Sequence, residues 1–176
     1  MPVAAAVAQA LGAPLDVLVA RKIGAPGQPE LGIGAVAEGG GQVVDEASLR
    51  AFRLGPAELA RRVDTERQEL DRRVARYRRG RPLPDVTGAD VVLVDDGLAT
   101  GVTAEAALRS LRSAGARRLV LAVPVGPSDT VQRLATCADD VVCLVSPPAF
   151  GSVGAWYDDF AQVTDDEVVA LLDRPA

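Results

Sequence analysis

The chain has 176 residues, 24 acidic against 19 basic for a net charge of −5, with 48% hydrophobic and 3% aromatic residues. That length suits one domain with a full core, and the apolar share beside an ordinary 24% of charged residues excludes intrinsic disorder. The acidic balance argues against broad binding to a nucleic-acid backbone, and the absence of histidine removes every Ser-His or Cys-His mechanism and every imidazole metal site.

Residues 4–11, closed by Gly12, read as the end of an alanine-rich helix. No basic n-region or cleavage pattern marks residues 1–11, and the longest apolar runs are far too short to span a bilayer. A soluble, reducing compartment such as the cytoplasm is therefore expected, with no membrane partner. Residues 16–20 (DVLVA) predict a buried strand, followed by a Gly/Pro-rich loop over 21–29. Residues 32–37 and 42–44 predict two further strands, joined as a hairpin through Glu38-Gly39-Gly40-Gly41.

Residues 56–79 form the longest helical pattern, about 36 Å at 1.5 Å per residue. Leu59, Val63, Leu70, Val74 and Tyr77 make its apolar stripe, Glu58/Arg62 and Glu69/Arg73 support its exposed face, and Gly80 ends it. Its arginines read as a solvated face, and a phosphate-grasping role would need Arg78, Arg79 or Arg81 to fold back over a site. From Val91 the pattern repeats as strand, loop, helix: strands over 91–94, 119–123 and 141–145, a turn over 95–103, helices over 104–114 and 128–136. Thr164 and Glu167 form a capping box, with Val163 and Val168 as a hydrophobic staple, for a last helix to Asp173. This alternation, with wholly apolar strands, predicts an α/β fold with a mostly parallel sheet. The chain uses 18 arginines but one lysine, Lys22, and its two cysteines, Cys137 and Cys143, read as small core residues.

The chemistry concentrates in residues 91–103 (VVLVDDGLATGVT). Four apolar residues bury a strand, Asp95 and Asp96 emerge at its tip, and a small-residue turn with Thr100, Gly101 and Thr103 runs into a helix N-terminus. In open α/β sheets ligands gather at the carboxyl ends of strands, and unpaired amides at a helix start suit a phosphate. The aspartates would repel that phosphate, so they suit hydroxyl groups or a Mg²⁺ ion beside it. A ligand with a phosphate at one end and vicinal hydroxyls at the other is a sugar phosphate.

This stretch resembles the 5-phosphoribosyl-1-pyrophosphate (PRPP) motif of type I phosphoribosyltransferases. The resemblance implies a single phosphoribosyltransferase-like domain over residues 1–176. Its type I, mostly parallel sheet would be flanked by helices, with the long Arg-rich helix inserted before the motif strand. It implies that Asp95 and Asp96 bond the ribose 2′- and 3′-hydroxyls, and that Ala99, Thr100, Gly101, Val102 and Thr103 hold the 5′-phosphate. Residues 16–24 look like the family strand that ends in basic residues, which would give Arg21 and Lys22 to the pyrophosphate. Residues 150–162 (FGSVGAWYDDFAQ) are similar to the C-terminal region of a bacterial subgroup of the family. There Phe150, Trp156 and Tyr157 become candidates for stacking on a base, although Trp156 reads equally as a core anchor. The implied reaction is Mg²⁺-dependent transfer of phosphoribosyl from PRPP to a nitrogenous base, in nucleotide metabolism, with release of pyrophosphate. Mg²⁺ would be held through the substrate and by Asp95 and Asp96.

The family places a strand, ending in a pyrophosphate-binding loop, ahead of the first helix, whereas this sequence opens at Met1-Pro2-Val3, at that helix. The expectation is a domain lacking both, through a misplaced start or loss, that binds phosphoribosyl groups weakly. A homodimer through the incomplete sheet edge is also expected. Two other functions compete. One is a non-catalytic module that binds PRPP or a nucleotide in regulation. The other is a phosphohydrolase with Asp95 as nucleophile, though no second Asp stands two residues on. A P-loop fails because no lysine follows Gly101, and the dinucleotide-like glycines at 32–37 are a chance match within a strand.

Overall fold

The computed structural model describes residues 1–173, the side chain of Glu30 excepted. The helix α1, Pro2–Leu11, has proline in its first turn and ends where Gly12 takes a left-handed conformation (φ 60°). Residues 16–19, expected as a strand, run outside any sheet; the strand β1 begins later, at Ala20–Ala25. It therefore covers residues assigned to a loop. The reason is visible in its faces: Val19, Ile23 and Ala25 are buried in the core, but Arg21, Lys22 and Gly24 interrupt the apolar run that sequence reading depends on. A turn at Gly27 (φ 70°) leads to β2, Gln28–Ala37. A 3₁₀ turn over Glu38–Gly40 then leads to β3, Gln42–Val44, as the expected hairpin. The three strands form one antiparallel sheet in the order β1-β2-β3.

A short helix that the periodicity did not reveal, α2 at Glu46–Ala51, is started by Asp45, whose carboxylate accepts from the amides of Ala47 and Ser48. The Arg-rich helix α3, Pro56–Arg78, lays Val63, Leu70 and Tyr77 against β1 and β2. Its last residue corrects the expectation of a solvated face. Arg78 is 5% exposed and donates to both carboxylate oxygens of Glu38, to Asp16 at 3.0 Å and to the Val17 carbonyl. Glu38, itself 8% exposed, also accepts from the Val19 amide.

The second half follows the expected alternation. Strands β4 (Asp90–Val94), β5 (Arg118–Val125) and β6 (Asp140–Val145) form a parallel sheet in that order. Helices α4 (Val102–Ser113) and α5 (Ser128–Leu134) cover one face, burying Leu108, Leu111, Leu119, Leu121, Val123 and Leu134. Full burial of each such side chain contributes about 1.5–3 kcal/mol. The other face leaves Val92, Val142 and Leu144 40%, 48% and 76% exposed. Beside the β4 edge away from β5 lies a cavity of about 430 Å³, bounded by Ala4, Leu15, Leu18, Val91 and Leu93.

Helix α4 joins the two sheets. Its Val102 and Ala106 pack on Ala35, Ala37 and Val43 of the antiparallel sheet, and its opposite stripe packs on β5. The approach is close because the contacts are small: a Cβ at Gly41 would lie 2.2 Å from the Ala106 carbonyl. The last helix, α6 (Asp165–Leu172), carries the capping box with both reciprocal bonds and docks on α3 through Val168 and Tyr77. Among the described residues, no helix is long and apolar enough to cross a membrane.

Candidate active site

The tip of β4 assembles most of the residues singled out in the sequence. The Asp95 amide extends the parallel ladder by donating to Ala122 (3.2 Å), and the Leu98 amide donates to Val125 (2.9 Å). The intervening residues 95–97 therefore bulge outward at the carboxyl edge of the sheet. Both aspartates are partly buried there, and Asp95 Oδ1 accepts from the Asp96 amide at 2.9 Å. Burial, then the adjacent Asp96 charge, push the Asp95 carboxyl up to about 7, and burial raises Asp96 as well. Among the described residues no arginine pairs with either.

The turn that follows has its amides open. Gly101, with φ 70°, is the N-cap of α4, and no side chain caps the helix. The amides of Val102, Thr103 and Ala104 at the start of α4 and those of Ala99, Thr100 and Gly101 bond no acceptor among the described residues. Their carbonyls are tied instead. Thr130 Oγ1 donates to Ala99 O at 3.1 Å, Arg133 Nη2 donates to Thr100 O, and the Glu105 amide donates to Gly101 O at 2.9 Å. Loop positions 99–103 thus form an outward-facing row of donors at the positive end of a helix dipole.

Lys22 and Arg21 part company. Side chains alternate across a strand, so neighbours on β1 face opposite sides of the sheet. Lys22 lies on the loop side: a Cβ at Gly32 would sit 3.1 Å from Thr100 Oγ1 and 3.2 Å from Lys22 Cδ. Arg21 faces α3, where its guanidinium bonds Glu66 Oε2 at 2.9–3.0 Å. The two-residue period of the strand thus sets these two cations, both expected at the pyrophosphate, on opposite faces of the sheet.

The late segment folds over the strand tips. Tyr157 donates to the Asp96 carbonyl at 2.5 Å and packs its ring against Phe160 at 5.0 Å, tilted by 45°, while a Cβ at Gly97 would lie 2.7 Å from Val153. Burial and the Asp96 and Asp95 charges push the Tyr157 hydroxyl above its ordinary value. Trp156 is 45% exposed, which excludes the core-anchor reading, and Phe150 is half-buried. Of the three aromatics, Tyr157 is the one with a hydrogen bond to the acidic tip among the described residues.

Residues 1–159 match the family model described as a phosphoribosyl transferase domain. The chain belongs to this family. Two Mycobacterium tuberculosis proteins, from strains CDC 1551 / Oshkosh and H37Rv, each bear the name "Putative phosphoribosyl transferase". Both are 51% identical to it over 174 residues, covering 99% of this chain. The chain spans 39% of the length of those curated relatives. The crystal structure of TT1426 from Thermus thermophilus is similar with a TM-score of 0.75 and 48% identity, covering 96% of this chain and 79% of that one. For a phosphoribosyl transferase domain, Thr130 and Arg133 are the parts that sequence reading missed. They lie 31 and 33 residues from the carbonyls they hold, and no local spacing announces them.

Proposed function

We propose that this domain transfers a phosphoribosyl group from PRPP to a nitrogenous base. The observation that carries the reading is the juxtaposition, at one strand tip, of two partly buried aspartates with no arginine partner among the described residues and a loop with its amides turned outward. In this reading, loop 99–103 binds the 5′-phosphate, and Asp95 and Asp96 accept hydrogen bonds from the ribose 2′- and 3′-hydroxyls. Lys22 lies on the side of the loop where the pyrophosphate would leave. The C1–O bond to pyrophosphate breaks with its electron pair, a C1–N bond forms to the base, and the base nitrogen gives its proton to solvent. The segment over 150–160 covers the tip and limits water, which would otherwise capture C1.

The acid pair is a hard-oxygen donor set that fits Mg²⁺. Among the described residues no third acid, histidine or cysteine completes a protein cage, so Asp95 and Asp96 would share the ion with substrate oxygens. When bound, Mg²⁺ neutralises charge on the departing pyrophosphate. Everything else falls to the chain itself, which positions and surrounds the sugar rather than attacking it. A second reading, a module that binds PRPP or a nucleotide without turnover, is favoured by one observation: Arg21 is engaged with Glu66, which leaves the pyrophosphate side with Lys22.

The test is pyrophosphate release from PRPP with Mg²⁺ and a panel of nucleobases. Base-dependent release supports transfer. Saturable PRPP binding without release supports the second reading, and neither binding nor release contradicts both.

A further inference from the structure

We infer that Arg133, held by Glu105, is the positioning residue that aims the loop amides at the 5′-phosphate. This rests on the reading of loop 99–103 given above. A trans peptide points its N–H directly away from its own carbonyl. Fixing the carbonyls of Ala99, Thr100 and Gly101 from α5 and α4 therefore turns the amides of Thr100, Gly101 and Val102 the other way. The middle tether is the charged one. Arg133 donates through Nη2 to Thr100 O and through Nη1 to Glu105 Oε2, so one planar guanidinium bridges the loop and the first turn of α4.

Glu105 explains why an exposed arginine stays in place. Its carboxylate is 10% exposed on α4 and also accepts from Arg109 at 2.7 Å, so Arg133 docks against a buried acid that is itself fixed. A lone carboxylate one turn behind a phosphate site would repel the ligand. Two guanidiniums on it offset that charge, Arg133 also facing the Asp45 carboxylate. Gly101 makes the approach possible: a Cβ there would meet Thr130 Cγ2 at 2.7 Å and Arg133 Nη2 at 3.1 Å. The tether comes from a residue 33 positions away, so the loop conformation depends on the docking of α5.

The experiment titrates ribose 5-phosphate into the full chain by calorimetry, for the wild type, Arg133→Met, Thr130→Val and the surface control Arg112→Met, with melting midpoints alongside. The Gly101 amide resonance is followed during titration with inorganic phosphate. The expected result for Arg133→Met is a loss of about tenfold in affinity, with a Gly101 shift that no longer saturates and a melting midpoint near that of the control. Thr130→Val, which deletes one hydroxyl at constant shape, gives a loss of about threefold and serves if Arg133→Met fails to fold. Wild-type affinity in both variants overturns the inference and leaves the site reading intact. Absence of ribose 5-phosphate binding in the wild type overturns that reading, and this inference with it.

Discussion

Asp95→Asn is expected to abolish most turnover while making the unliganded chain more stable. Removing one well-placed group that stabilises developing charge costs about 10²–10³-fold in rate, and Asp95 is the acid at the tip whose carboxyl burial pushes up to about 7. The stability gain follows from its pKa. The folded chain raises the Asp95 carboxyl from 3.8 to about 7, so the folded state holds that proton more tightly than the unfolded one. The contribution is fully present below the unfolded value near 4 and is lost as pH rises through about 7. Groups such as Asp45, Asp139 and Asp165 have lowered values and act in the opposite sense, losing their contribution only as pH falls below about 4. The window from pH 5 to 8 is therefore governed by the tip acids. Urea denaturation in EDTA should show wild-type stability falling by about 2 kcal/mol across that window, with most of the fall absent in Asp95→Asn. A flat wild-type profile, or a variant that loses stability at pH 8, contradicts the burial argued for this acid.

The second large effect lies away from the site. Arg78→Met should destabilise the chain by about 3–5 kcal/mol, because it strands the Glu38 carboxylate in the interior with the Val19 amide as its remaining donor among the described residues. Domains of this size have about 5–15 kcal/mol in total, so the variant stands near the edge of folding. Glu38 sits where four parts of the fold meet. Its side chain holds Arg78 at the end of α3 and the Val19 amide before β1, and its carbonyl accepts from Ser110 of α4. Arg78→Met combined with Glu38→Leu should recover part of the loss, since an apolar pair of matching volume replaces a buried ion pair at little cost. Denaturant midpoints for the single and double variants measure this. A loss below about 1 kcal/mol for Arg78→Met would show that the pair does not lock these elements together.

These two sites mark what the sequence made legible. The motif strand, its acidic tip and the turn into α4 were readable because apolar run, acid pair and small-residue turn are contiguous, and each element announces the next. The capping box at Thr164 was readable for the same reason. Arg78 was not: it sits at helical spacing among arginines that do face solvent, and only the fold brings Glu38, 40 residues away, to it. The separate surroundings of Arg21 and Lys22 were not legible either, because adjacency in sequence is opposition in a strand. Strand β1 was placed several residues early because its buried positions, Ile23 and Ala25, alternate with charges and glycine rather than forming a run. Arg133 and Thr130 had no local signal at all, since their role exists only once α5 packs against the loop.

If the β4 tip grips a pentose diol while loop 99–103 holds its phosphate, the two ends of the sugar phosphate can be probed separately. The most direct measurement compares the affinity of the chain for ribose 5-phosphate and 2-deoxyribose 5-phosphate, in the wild type and in Asp95→Asn/Asp96→Asn. Loss of the 2-hydroxyl should weaken wild-type binding by about tenfold or more, and the two sugars should become equal in the double variant. Equal affinity for both sugars in the wild type would contradict the diol grip.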